Sequence, residues 1–325
     1  MKAINIETIY AGILGVAVGD AVGVPYEFLK TEDMKKRPAT DMASGGIHGQ
    51  PKGFWSDDTS MTLAMMDAMS TWENKEDYDA VMKNFSAWYY DSEYTPDNDV
   101  FDCGTTCSYA VHNYKELGKG PDECGVRGEY ANGNGALMRI LPALFYVHSK
   151  YGEAWVQNKE AISIIEKLTA LTHAHKRSSI ASVMYLSVAE EILKGKNKDE
   201  AVKDGIASAK VHYLKEIEGL IELNHFVRVS SPDFKDMPEE DMRSGGYVIE
   251  SIEAAIWCFL NTDSYRECIL KAVNLGHDTD TTAAIVGGLA GLYYGLKDIP
   301  VEWLQSLARL GYIKELCDKY AETID

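Results

Sequence analysis

The sequence predicts an all-α protein of ten or more helices, folded as a single domain over residues 1–325. Three observations predict it. Apolar residues recur at helical spacing in several segments, alternating strand-like patterns are scarce, and no composition break or linker divides the chain. With 46% hydrophobic residues over this length, a sizeable core can form.

The first apolar segment, residues 9–18, has the look of a signal-peptide core. Glu7 before it, Asp20 after it and several glycines argue for an internal helix instead. No uninterrupted run of about 18 apolar residues occurs, so no membrane-spanning helix is expected. Met61, Met65, Ala68, Met69 and Trp72 share one helical face, as do Ala181, Met184, Tyr185, Val188 and Ile192. Val248, Ile252, Ala255, Ile256 and Phe259 form a third stripe. Ser264 and Glu267, three apart, make a capping box for a helix that should end near Leu275, with Gly276 just beyond it. Gly287, Gly288, Ala290 and Gly291 suit a last helix that approaches its neighbours closely. Residues 230–246, rich in Pro, Gly and acids, read as a loop beside a site or a plain connection.

Fifty acidic against 32 basic residues give a net charge of −18. Such a surface repels nucleic acid and anionic membrane, so neither is an expected partner. The six cysteines include no C-x-x-C pair and read as reduced core thiols, which fits a cytoplasmic chain. Cys103 and Cys107 could ligate zinc, but no paired Cys/His set has finger spacing.

Two segments share a chemical design. Ser56, Asp57, Asp58 and Thr59 precede one helix; Asp278, Asp280, Thr281 and Thr282 precede another. One such residue is enough to cap a helix, and adjacent carboxylates repel. Two divalent cations would neutralise the four aspartates, and hard ions such as Mg²⁺ and Mn²⁺ select these oxygens. On the pattern alone, a metal site and plain capping both stay open. Asn132, Gly133, Asn134 and Gly135 could let backbone N–H groups reach a phosphate, although the segment is neither a P-loop nor a full dinucleotide fingerprint. An ordinary turn is the alternative. Asp20 and Glu27 stand among small and apolar residues, where an acid must be paired or working. Asp20 reads as a cap or pair and Glu27 as a catalytic candidate; Asp102 is similar but weaker. His173 and His175 do not share a helix face, so joint metal ligation is not expected.

Together and in this order, segments 12–23 with Glu27, 55–62, 132–139, Thr172 with His173, and 276–284 resemble the ADP-ribosylglycohydrolase family. The bacterial dinitrogenase reductase-activating type is the most similar in look. The resemblance implies an all-α fold holding two Mg²⁺ or Mn²⁺ ions on Ser56, Asp57, Asp58, Asp278, Asp280 and Thr281. It places Glu27 beside the reacting ribose and Asp102 near the ribose. Asn132, Gly133, Asn134 and Gly135 would line the diphosphate, and His173 the phosphate or ribose. Thr105 and His277 depart from the residues usual at their positions. The implied substrate is an ADP-ribosylated protein or small molecule, cleaved at an arginine linkage by a monomeric enzyme, with either Glu27 or an ion-activated water as base. Alternatives are a two-metal phosphohydrolase acting on the diphosphate and a non-enzymatic, crystallin-like relative.

Overall fold

The computed structural model describes residues 4–72 and 75–324. Among them are sixteen α-helices linked by turns and by longer connections, including residues 37–56 and 223–247, with isolated backbone bridges but no strand. The helices Ile6–Gly23 and Thr279–Tyr294 form the centre and pack backbone against backbone. A Cβ on Gly15 would collide with the Gly287 carbonyl, and one on Gly287 with the Gly15 carbonyl. The close-approach role read for the glycines of Thr279–Tyr294 therefore holds, although two further helices, Val301–Ser306 and Leu310–Ile324, follow this one. Glycine is needed because any side chain would force the two backbones apart. The same contact continues to the end of the first helix, where Gly23 lies directly against the Asp280 backbone.

Residues 9–18 lie inside this central helix. The expectation about membrane spans needs correction. Judged by length and composition, the stretch Ile6–Tyr26 is long and apolar enough to cross a membrane. Glycines and two acids, Glu7 and Asp20, interrupt a strict apolar run without making the helix polar. In the fold, 89% of its apolar window is buried, as befits a helix surrounded by others.

The predicted stripes also prove too narrow. The helices Asp57–Met69 and Lys176–Leu193 are buried on nearly all sides, so they belong to the interior and not to an amphipathic outer layer. Trp72 is buried beyond the end of its helix. The helix Tyr265–Asn274 starts as read: Ser264 Oγ accepts from the Glu267 N–H at 3.2 Å. The returning arm of the box is shifted by one residue, with Glu267 Oε2 accepting from Asp263 N at 3.0 Å. Gly276 follows with φ +83°, the left-handed conformation that stops the helix. All six cysteines are free thiols, five of them buried.

Candidate active site

Asp20, on the buried face of the central helix, organises one half of the site. Its carboxylate accepts from the backbone N–H of Ser56 at 3.0 Å and of Thr59 at 3.0 Å, and from the Thr59 hydroxyl at 2.6 Å. Ser56 Oγ lies 3.0 Å from Asp20 and 2.9 Å from Asp58 Oδ2. Asp20 and Ser56 thus satisfy the N-terminus of the helix Asp57–Met69. This decides between the two readings of that segment as far as capping goes: Asp57 and Asp58 are not needed for it. Asp58 Oδ1 is buried with no hydrogen-bond partner among the described residues, and so is Asp280 Oδ2 on the facing helix. Buried orphan oxygens on ionisable groups are costly unless a ligand completes them.

The second half arrives from the far end of the chain. Thr281 Oγ1 stands 3.3 Å from Asp58 Oδ2, so the two acidic helix starts meet. The Glu27 turn joins them through a two-way backbone pairing: Phe28 N donates to His277 O at 2.7 Å and His277 N to Leu29 O at 2.6 Å. His277 holds φ +61° there, in the left-handed region uncommon for a non-glycine residue. The end of the 230–246 segment forms the floor, since Ser244 O accepts from Asp278 N at 2.9 Å and Gly246 O from Asn134 N at 3.0 Å. Its last residues are therefore beside the site.

Carboxylate oxygens of Asp20, Asp58 and Asp280 lie within 4.8 Å of one another, and so do those of Glu27, Asp278 and Asp280. Asp280 is common to both groups. Burial first, and then the neighbouring acids, push Asp58, Asp280 and Asp57 well above the usual carboxylate range. Glu27 is pushed up to about 9, by burial and then by Asp102. These groups are crowded beyond what protein contacts compensate. Hard oxygen donors in such number, two with unspent buried atoms, fit Mg²⁺ or Mn²⁺. Asp57 stands beside these groups and accepts from Gly104 N at 3.3 Å. Asp278 Oδ2 accepts from Asn134 Nδ2 at 2.7 Å, tying the acids to the glycine-rich loop.

That loop, 132–135, is fixed by its neighbours: Val248 N donates to Asn132 O at 3.0 Å, and the Ser178 hydroxyl to Asn132 Oδ1 at 2.9 Å. It borders a cavity of about 430 Å³ lined by Glu129, Tyr130, Asn132, Gly133, Arg177, Gly246 and Tyr247. His173 packs under the two glycines and is fully buried. Burial and the Arg139 guanidinium hold its ring neutral, lowered to about 3.

Every sequence-predicted site residue thus falls in one neighbourhood. Sequence reasoning missed His48, whose Nε2 lies 2.5 Å from Glu27 Oε2 and which shares a third cluster with Glu27 and Asp102. A histidine in a glycine-flanked loop carries no periodic signal, so only the fold reveals it. It also missed Arg139, which sits wholly buried at the end of the glycine-rich segment.

The family model described as ADP-ribosylglycohydrolase matches residues 1–325. The chain belongs to the ADP-ribosylglycohydrolase family. It is an ADP-ribosyl glycohydrolase, an enzyme that hydrolyses glycosidic bonds of ADP-ribose. This glycohydrolase is 29% identical over 313 residues to "ADP-ribosylarginine hydrolase Tri1" of Pseudomonas putida (strain GB-1), covering 94% of this chain and 76% of that one. It is 27% identical to the "ADP-ribosyl-[dinitrogen reductase] glycohydrolase" of Rhodospirillum rubrum, covering 90% and 88%. A solved structure titled "ADP-ribosylglycohydrolase-related protein complex" superposes with a TM-score of 0.78 at 26% identity, over 98% of this chain and 99% of that one.

Proposed function

We propose that this glycohydrolase releases ADP-ribose from arginine side chains of a modified protein or small molecule, using two Mg²⁺ or Mn²⁺ ions, as a cytoplasmic monomer. The observation that carries the reading is the meeting of Asp58 and Asp280, each with a buried, unspent carboxylate oxygen, where two helix starts face each other. Ser56, Asp57, Asp58, Asp278, Asp280 and Thr281 would hold the ions, which supply Lewis-acid polarisation of the ribose hydroxyls and of a water.

The protein's own groups do the rest. Asn132, Gly133, Asn134, Gly135 and His173 face the diphosphate and exclude water from it. Asp102 and Glu27 border the ribose. Glu27 and His48, 2.5 Å apart, form one hydrogen-bonded pair beside it. In hydrolysis a water oxygen bonds to the anomeric carbon as the bond to the guanidino nitrogen breaks, its electron pair staying on nitrogen. The water proton passes to the Glu27–His48 pair and then to the departing guanidine, which leaves as guanidinium. The pair returns to its starting state, and the anomeric carbon passes through oxocarbenium-like character.

Arginine is favoured over serine on two supports. Two of the relatives above are named for hydrolysis at arginine or at dinitrogen reductase. A recess of about 560 Å³ that shares Tyr247 with the loop cavity is lined by Glu240, Asp241, Glu250 and Glu253 against Arg228 and Arg243, an acidic balance suited to a cationic peptide. The test is a side-by-side assay on arginine- and serine-linked ADP-ribosyl peptides. Faster release from arginine, with free ADP-ribose as product, is expected. Faster release from serine overturns the linkage, and AMP with ribose phosphate overturns the glycosidic chemistry.

A further inference from the structure

Arg139 is fully buried with no carboxylate partner among the described residues. Its guanidinium donates to the Gly135 carbonyl, to Leu168 O at 3.4 Å and to Thr172 Oγ1 at 2.8 Å, and it lies 4.9 Å from the Phe85 ring centre. Arginine has donors only, so Thr172 Oγ1 is the acceptor in that bond. The hydroxyl must still place its own proton. The partner in reach is His173 Nδ1, at 2.8 Å.

Two assignments of that contact are conceivable, and the surroundings separate them. If Nδ1 carried the ring proton, Arg139 and His173 would both donate into Thr172, and the hydroxyl proton would be stranded at a fully buried position. If Nδ1 is bare, it accepts the Thr172 hydroxyl proton, and what stays unpaired among the described residues is Arg139 Nε, in either assignment, and the ring N–H. Among the described residues, Cys107 is the competitor for the Thr172 proton. Burial pushes its thiol up to about 12, so it is neutral, and a neutral thiol is a far weaker acceptor than an imidazole nitrogen. The bare-Nδ1 assignment places the ring proton on Nε2. Nε2 has no protein partner among the described residues, and it faces the glycines: a Cβ on Gly133 would lie 3.3 Å from Nε2, and one on Gly135 3.1 Å from Cε1.

We propose that Arg139 and Thr172 are positioning residues that fix His173 as the Nε2–H tautomer, so that the ring presents a single N–H donor across Gly133 and Gly135 to an oxygen of bound ADP-ribose. The donor role rests on the reading of residues 132–135 and His173 as the ADP-ribose wall; the relay itself does not. With Nδ1 occupied by Thr172 and the ring held neutral, Nε2 accepts nothing and can only recognise an acceptor oxygen. The two glycines serve the same end, since a side chain at either would fill the space before the donor. The buried guanidinium, donating to both Gly135 O and Thr172, holds loop and ring in one register.

The experiment is nitrogen-15 spectroscopy of the histidine rings in the whole protein, with ADP-ribose titration by calorimetry on wild type, Thr172→Val and Thr172→Ser. Wild type is expected to show His173 as pure Nε2–H, with a shifted signal on adding ADP-ribose. Thr172→Val, which keeps the shape and loses the hydroxyl, is expected to populate the Nδ1–H form and to bind ADP-ribose about tenfold more weakly, the worth of one hydrogen bond. Thr172→Ser is expected to restore both. An Nδ1–H signal in wild type overturns the relay, and that measurement stands even if Thr172→Val does not fold. A folded Thr172→Val with an unchanged tautomer also overturns the relay, and unchanged affinity overturns the donor role. If wild type is Nε2–H but ADP-ribose leaves the His173 signals unmoved, the wall reading falls and the donor role with it, while the relay survives.

Discussion

Replacing Asp58 by Asn tests whether the crowded acids are built for cations. The substitution keeps size and removes one charge from a fully buried group whose carboxylate lies within 4.8 Å of those of Asp20 and Asp280. In excess chelator the loss of charge relieves repulsion and desolvation, so the variant should melt at or above the wild-type temperature. With Mn²⁺ or Mg²⁺ the order should reverse. A site filled at about 100 times its Kd stabilises the fold by about 2.7 kcal/mol. For a chain of 325 residues, unfolding entropy near 2.1 cal/mol/K per residue amounts to about 0.7 kcal/mol per kelvin. Each filled site then raises Tm by about 4 °C, and two by about 8 °C. Asp58→Asn should gain less than half of that, because an amide is a poorer ligand and the remaining acids are fewer. Melting curves of both proteins, with chelator and with each ion, decide the matter. Equal ion-induced shifts in the two proteins would refute the reasoning, and a variant that melts well below wild type in chelator would show that Asp58 serves the bare fold instead.

Three further outcomes are expected. Glu27→Gln should slow ADP-ribose release by about 100-fold or more, the scale of a lost acid–base group, while keeping the ion-induced Tm shift; a near-normal rate removes Glu27 from the chemistry. Gly15→Ala should cost about 1–3 kcal/mol, read as a lower Tm in thermal unfolding, because the clash is with the backbone of Gly287 and no rotamer can relieve it; unchanged Tm would mean the central helices slide apart freely. His173 has its folded pKa lowered from 6.5 to about 3. The unfolded chain therefore binds the extra proton first, and the stability this neutral ring contributes is present above about pH 6.5 and lost as pH falls towards 3. The stability advantage of wild type over His173→Gln should shrink below pH 6.5 by on the order of 1.4 kcal/mol per pH unit, and a difference that stays flat with pH would contradict it.

The helices were legible because their causes are local. Ser264 and Glu267 announce a helix start three residues wide, and Gly276 announces its end, without reference to any other part of the chain. The acids at 57–58 and 278–280 were legible as an excess of oxygen over what a cap requires. What the pattern could not show was whether the acids at 57–58 were needed as caps. They are not, because Asp20, 36 residues away from Ser56, takes over the cap. The stripes underestimated burial for a related reason: periodicity finds the most apolar face of a helix, but not how many neighbours surround it.

By itself the sequence determined the all-α class, the helix starts and stops, the free thiols and which acids were in surplus, since each follows from residues close together along the chain. The tertiary structure alone decided which of those residues share a space. Glycines at 15, 23 and 287 let two helices from opposite ends of the chain touch through their backbones, and that approach sets Glu27 against Asp278 and Asp280. It alone also assigned Arg139, Thr172 and His173 to one chain of hydrogen bonds, because a proton's position depends on every donor and acceptor around it and not on spacing in sequence.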